Sequence, residues 1–150
     1  MAIYRQRHNV TKIWRTTMRP IPIGTKGHFE LVVEPRHLAN QFKDVILPPV
    51  FATPMMVLVM ENAALNAVRG FLDSGEAVLG TRIDVRHVAA TPVGHRVRAE
   101  AEVVRVEEKY IEFRVAAWDE VEEIGHGIHE RMVVDLRRMK DRLAKKRRTG

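Results

Sequence analysis

Glu61 is a carboxylate where apolar residues are expected. The run Pro54-Met-Met-Val-Leu-Val-Met-Glu-Asn-Ala-Ala-Leu-Asn-Ala-Val68 reads as a helix, and spacing of three and four places Val57, Glu61, Ala64, Leu65 and Val68 on one stripe. An unpaired charge buried on such a stripe costs several kcal/mol unless it is protonated, hydrogen-bonded or within reach of a water-lined site. Glu61 is therefore the first catalytic candidate, as general base or nucleophile; the plain alternative is a side chain that reaches out at the helix edge. His87 offers the complementary proton chemistry. In Gly80-Thr-Arg-Ile-Asp-Val-Arg-His87, alternation separates Thr81, Ile83, Val85 and His87 from Arg82, Asp84 and Arg86. The second set is polar, so the first is expected to face the helix and to carry His87 toward the layer of Glu61. Taken alone, a histidine on such a face is more often a hydrogen-bonded core residue than a catalyst.

Other chemistry is weaker. His126, His129 and Glu130 are metal-ligand types, but strand alternation puts His126 and His129 on opposite faces, so no shared ion is expected. The chain has no cysteine, which removes disulfides, thiolate zinc sites and thiol nucleophiles. There is no Walker loop, dinucleotide fingerprint or G-x-S-x-G elbow. Neither a metal nor a redox cofactor is expected. Met55, Met56 and Met60 read as deformable packing at the helix start.

The elements that must position these groups follow from the change of period. The spacing predicts a strand over 27–33, an irregular segment through Pro48-Pro49, and a helix over about 54–72 that Asp73-Ser-Gly75 stops. Strands over about 77–89, 95–107, 110–118 and 124–136 follow, joined by turns at Thr91-Pro-Val-Gly94, Glu107-Glu-Lys109 and 119–123. This order predicts an α+β fold, one five-stranded antiparallel sheet packed on one long central helix. Leu136, Met139 and Leu143 then mark a terminal amphipathic helix.

At 150 residues and 45% apolar, one domain is expected. No run approaches the roughly 18 apolar residues of a membrane span, and the start lacks a secretory signal; a cytoplasmic location is expected. The net charge of +6 is unevenly spread. Residues 1–29 hold six Lys/Arg and no acid, and residues 135–150 hold eight against Asp135 and Asp141, which leaves a net of −6 between them. The expected division is a basic arm over 1–19, a domain over 20–136 and a basic helix or tail over 137–150. The arm is open to reading as part of a targeting peptide or as an upstream start preceding Met18.

Four segments in order carry a family resemblance: Val50-Phe-Ala-Thr-Pro-Met-Met-Val-Leu-Val-Met-Glu61, Leu79-Gly-Thr81, His87-Val-Ala-Ala-Thr-Pro-Val-Gly94 and Gly127-Ile-His-Glu-Arg131. Together they resemble the hotdog-fold acyl-CoA thioesterases of the fluoroacetyl-CoA thioesterase type, over roughly residues 20 to 140. The resemblance implies a hotdog fold, with the sheet wrapped around the central helix, and a homodimer or dimer of dimers holding acyl-CoA at the subunit interface. It further implies Thr53, Glu61 and His87 as catalytic residues, with Gly80 as oxyanion donor and Arg131 in support. Thioester hydrolysis needs such a set: an activated water or nucleophile, a donor for the oxyanion, and a proton source for the thiolate. Each residue has a simpler reading. Thr53 before Pro54 is a natural helix N-cap, Gly80 a bulge, and Arg131 a cross-strand partner of Glu102 or Glu112. Three features depart from the family: Pro54 after the threonine, Asn62 after Glu61, and Leu47-Pro48-Pro49 ahead of Val50.

The function expected is hydrolysis of a short or small acyl-CoA to the free acid and CoA. The competing class is an acyl-CoA-binding sensor whose basic ends touch nucleic acid or a membrane surface, which the absence of a helix-turn-helix pattern disfavours. Acyl-CoA hydration or dehydration on the same fold is a third reading. Lys140, Arg142, Lys145 and Lys146 are candidates for holding CoA phosphates, against the plainer reading of a solvated helix face.

Overall fold

A computed structural model describes residues 18–148, so the arm expected over 1–19 lies almost wholly outside the described residues. The chain enters strand β1 (Lys26–Val32), passes a 3-10 turn (Pro35–His37) and a one-turn helix α1 (Ala39–Phe42), and reaches the long helix α2 (Thr53–Val68). Strands β2 (Glu76–His87), β3 (Arg96–Glu107), β4 (Tyr110–Trp118) and β5 (Glu123–Asp135) follow, then helix α3 (Leu136–Arg148). The strands form one antiparallel sheet in the order β1-β3-β4-β5-β2, with β1 and β2 at its edges. This is the expected architecture. The segment over 34–50, which has no periodicity to read, holds the two short helical turns.

Alternation decides the core. β3 and β4 turn Val97, Ala99, Ala101, Val103, Ile111, Phe113, Val115 and Ala117 inward, and all are buried. Against them α2 lays Met56, Val59, Met60, Ala63, Ala64, Ala67 and Val68. The small residues bring the helix close: a Cβ on Gly27 of β1 would collide with the Ala63 and Ala67 backbone. Burial of side chains the size of Phe113, Met56 or Met60 stabilises by about 1.5–3 kcal/mol each. The buried face of α2 is thus rotated from the stripe read in the sequence. Glu61 lies at its border and is half-buried, not at its centre.

Two turns read in the sequence are built on left-handed glycines, Gly75 at φ 85° and Gly94 at φ 92°. The loop after β2 is pinned from both sides. Buried Thr91 donates its hydroxyl to Asp119 Oδ2 at 2.8 Å, and its carbonyl accepts Phe51 N–H at 2.8 Å, which ties the entry of α2 to the β4–β5 turn. Burial pushes the Asp119 carboxyl up, but the Val121 and Glu122 N–H groups and the Thr91 hydroxyl outweigh it and hold it below the usual range.

Strand β2 carries one irregularity. Gly80 pairs with Arg131 and Arg82 with Glu130, so Thr81 is an extra residue in the ladder. The bulge reverses its orientation: Thr81 donates to Glu130 Oε1 at 2.8 Å on the outer face, instead of facing the helix as alternation predicted. Ile83, Val85 and His87 pair with His129, Gly127 and Gly125 and lie on the helix side as expected.

Candidate active site

The candidate residues form two clusters. The first is at the start of α2. Ala52, not Thr53, is the N-cap, with Thr53 at the first helical position and Pro54 behind it, where a missing N–H costs nothing. Thr53 is thereby released from capping. Its Oγ1 lies 2.8 Å from His87 Nδ1. Burial holds the His87 imidazole below its ordinary value, with the Ala89 backbone acting in the opposite direction. Its Nε2 is enclosed and has no hydrogen-bond partner among the described residues. Thr53 and His87 line a cavity of about 370 Å³ whose other walls include Leu47, Pro48, Val50 and Phe51, with Lys43 the one permanently charged residue in its lining. A hydroxyl and a largely neutral imidazole at this distance can pass a proton.

The second cluster lies two turns along α2. Thr53 and Glu61 are eight positions apart, about 12 Å of helix. Glu61 faces the inner side of Gly80 on β2: a Cβ there would stand 2.8 Å from Glu61 Oε1 and 3.4 Å from His129 Cε1. The absent side chain makes room for the carboxylate. Arg131 enters from β5, only 8% exposed and on the helix side, so it does not pair with Glu102 or Glu112, whose partners are Arg114 at 3.6 Å and Arg105 at 3.4 Å. Burial lowers the Arg131 guanidinium below its ordinary value, and the charge of Glu61 opposes that shift. Within the chain, then, Glu61 is gathered with Gly80, His129 and Arg131, and His87 is held instead by Thr53.

His129 belongs to this cluster and was not among the expected site residues. It is fully buried, whereas His126 is exposed beside Glu123, the opposite-face placement that alternation predicted. Its site signal was the adjacency to Arg131 in Gly127-Ile-His-Glu-Arg131, with both side chains two apart on one face of β5. Among the described residues no cluster of three or more histidines, aspartates or glutamates is placed to hold a metal ion.

The family model for fluoroacetyl-CoA-specific thioesterases matches residues 33–137. The chain belongs to this family. It is 40% identical over 133 residues to the fluoroacetyl-CoA thioesterase of Streptantibioticus cattleyicolor, covering 85% of this chain and 96% of that protein. A solved structure of the fluoroacetyl-CoA thioesterase FlK superposes with a TM-score of 0.81 at 37% identity, over 85% of this chain and 98% of the other. A thioesterase superfamily member from Thermus thermophilus gives 0.81 at 33% identity, covering 89% and 100%. The fold is therefore a hotdog fold, and the protein is an acyl-CoA thioesterase of the fluoroacetyl-CoA-specific family. Among the described residues no helix is long and apolar enough to cross a membrane.

Proposed function

We propose that this thioesterase hydrolyses a short acyl-CoA to the free acid and CoA at a site shared by two protomers. The observation that carries the reading is the Thr53 Oγ1 to His87 Nδ1 contact of 2.8 Å at a largely apolar cavity, with Glu61 held apart beside Gly80. The two clusters are complementary and β2 joins them. It is an edge strand, exposed from Leu79 to Asp84 and bearing Leu79 and Ile83 in solvent, a surface a second copy covers. Antiparallel pairing of β2 with its symmetry mate about Asp84, with Thr81 left outside the ladder as it is against β5, sets Gly80 of one protomer opposite His87 of its partner. Glu61 of one chain then meets Thr53 and His87 of the other across the sheet junction.

The chemistry divides accordingly. Glu61 removes a proton from water, or attacks the thioester carbon itself to give an anhydride that water then opens. The Gly80 N–H donates to the oxyanion. The carbon–sulfur bond breaks, the departing thiolate takes a proton through Thr53 from His87 Nδ1, and the proton drawn from the attacking water, by either route, returns to His87 Nε2. Arg131 keeps positive charge beside Glu61. Leu47 and Pro48, in the segment where the chain departs from its family, shape the acyl pocket together with Val50.

The test is release of thiol from a panel of short acyl-CoAs, fluoroacetyl-CoA included, by wild-type protein and by a mixture of Glu61→Gln with His87→Ala. Each variant alone is expected to be inactive. Random exchange of subunits restores one intact site in mixed dimers, roughly a quarter of wild-type activity. No recovery on mixing demonstrably exchanged subunits would place all three residues of a site in one chain, and absence of thiol release from every substrate would remove the hydrolase reading.

A further inference from the structure

We propose that His129 is a positioning residue that fixes the Arg131 guanidinium beside Glu61, acting through one obligatory tautomer. The proposal rests on the reading of Glu61 as the working carboxylate. His129 Nδ1 lies 2.8 Å from the carbonyl oxygen of Arg82. A carbonyl only accepts, so Nδ1 carries the proton and Nε2 is left with its lone pair. Nε2 faces Arg131 Nη1 at 3.4 Å, and a guanidinium only donates, so the lone pair is what that neighbour requires. The two contacts admit one arrangement. The imidazole ring is fully buried and stacks on Phe113, centroids 5.9 Å apart and planes at 24°, so it cannot turn to offer another atom.

The carbonyl that sets this tautomer belongs to the bulge. The register slips between Gly80 and Arg82, and it is the Arg82 carbonyl that meets a side chain from β5. On the other side, Arg131 Nε is buried without a hydrogen-bond partner among the described residues, and the contact from His129 is the one hydrogen bond they supply to this guanidinium. Gly80 brings the chain of contacts back to Glu61, whose carboxylate and His129 Cε1 converge on the space where a Cβ would stand. Burial and the Arg131 charge keep His129 neutral, the form this role needs, although the Arg82 carbonyl and the charges of Glu61 and Glu130 act the other way.

Nitrogen-15 NMR of the histidine side chains and steady-state kinetics test the assignment. Wild-type His129 is expected as the Nδ1–H tautomer; finding the proton on Nε2 would overturn the proposal. His129→Asn, which keeps a donor near Nδ1 and loses the acceptor, should lower kcat about tenfold with KM within about twofold, while His129→Gln, whose carbonyl can accept from Arg131, should retain most of the turnover. In an Arg131→Met background, His129→Asn should have less than about a twofold further effect, because the two act as a unit. Equal losses in both His129 variants, or a full tenfold loss without Arg131, would show a merely structural histidine. If His129→Asn fails to fold, the wild-type tautomer and His129→Gln still decide. An active Glu61→Gln would sink the underlying reading and leave the tautomer measurement standing.

Discussion

Gly80→Ala is a perturbation of one methyl group whose effect can be worked from distances. Gly80 does not sit at positive φ, so alanine meets no backbone strain. The new Cβ would stand 2.8 Å from Glu61 Oε1, whereas ordinary contact begins at 3.4 Å, so the carboxylate must retreat by about 0.6 Å, the difference. The obstacle is the end of a flexible side chain, and β2 is an exposed edge strand, so stability should fall by less than about 1 kcal/mol. A displacement of that order in a reacting group costs on the order of tenfold to a hundredfold in turnover. The assay pairs thiol release from the best acyl-CoA with thermal melting of the same sample. Gly27→Ala supplies the contrast, because its methyl meets the α2 backbone and cannot be accommodated by a rotamer. It should cost about 1–3 kcal/mol, with the turnover of the folded fraction little changed. Wild-type turnover in Gly80→Ala would show that Glu61 needs no fixed place beside this strand, and the catalytic assignment would fall with it.

Further outcomes follow from the same geometry. His87→Ala should lower kcat by roughly 10²-fold or more with little change in KM, if the imidazole carries a proton in the transition state; unchanged turnover in a folded variant would return His87 to a packing role. Since the folded pKa of His129 lies below its unfolded value of 6.5, the unfolded chain binds the proton first, and stability present above pH 6.5 should be lost as pH falls through the folded pKa. Denaturant titrations should show this acid limb weakened in His129→Gln, and an unaltered limb would assign it to other groups. Light scattering should report a dimer or larger at assay concentration, and an active monomer would remove the shared site. Truncation after Met139, within α3, should leave kcat intact and at most raise KM in a salt-sensitive way; loss of kcat would give the basic helix a part in the chemistry.

The order of elements was legible because the sheet strands alternate and their turns carry distinctive residues. What the sequence obscured was phase. Helix α2 is apolar on most sides, so both the stripe through Val57 and Leu65 and the true one through Met56, Val59, Met60 and Ala63 fit helical spacing. The result was a Glu61 expected at the centre of the buried face and found at its edge. Glu61 and His87 were legible from spacing and alternation, Thr53, Gly80 and Arg131 only by resemblance, and the structure gathers the five into two clusters where one site was expected. His129 was passed over because its partner is a backbone carbonyl, a group the sequence does not distinguish from any other. The one-turn helix over Ala39–Phe42 lay beyond reading, since four residues contain too little period to register.

The extra residue at Thr81 has a consequence for how β2 can vary. Gly80 and His87 are seven positions apart, an odd number, and in an unbroken strand they would face opposite ways; the bulge adds the half-step that turns both inward. The strand therefore behaves as a parity device. Deleting one residue between the two positions leaves an even separation, which keeps both inward only if the bulge is lost with it; were the bulge to remain, either the glycine or the histidine would turn to the outer face. A chimera of β2 with a relative must therefore match the count from Gly80 to His87 to the presence or absence of the bulge before it preserves any side chain between them.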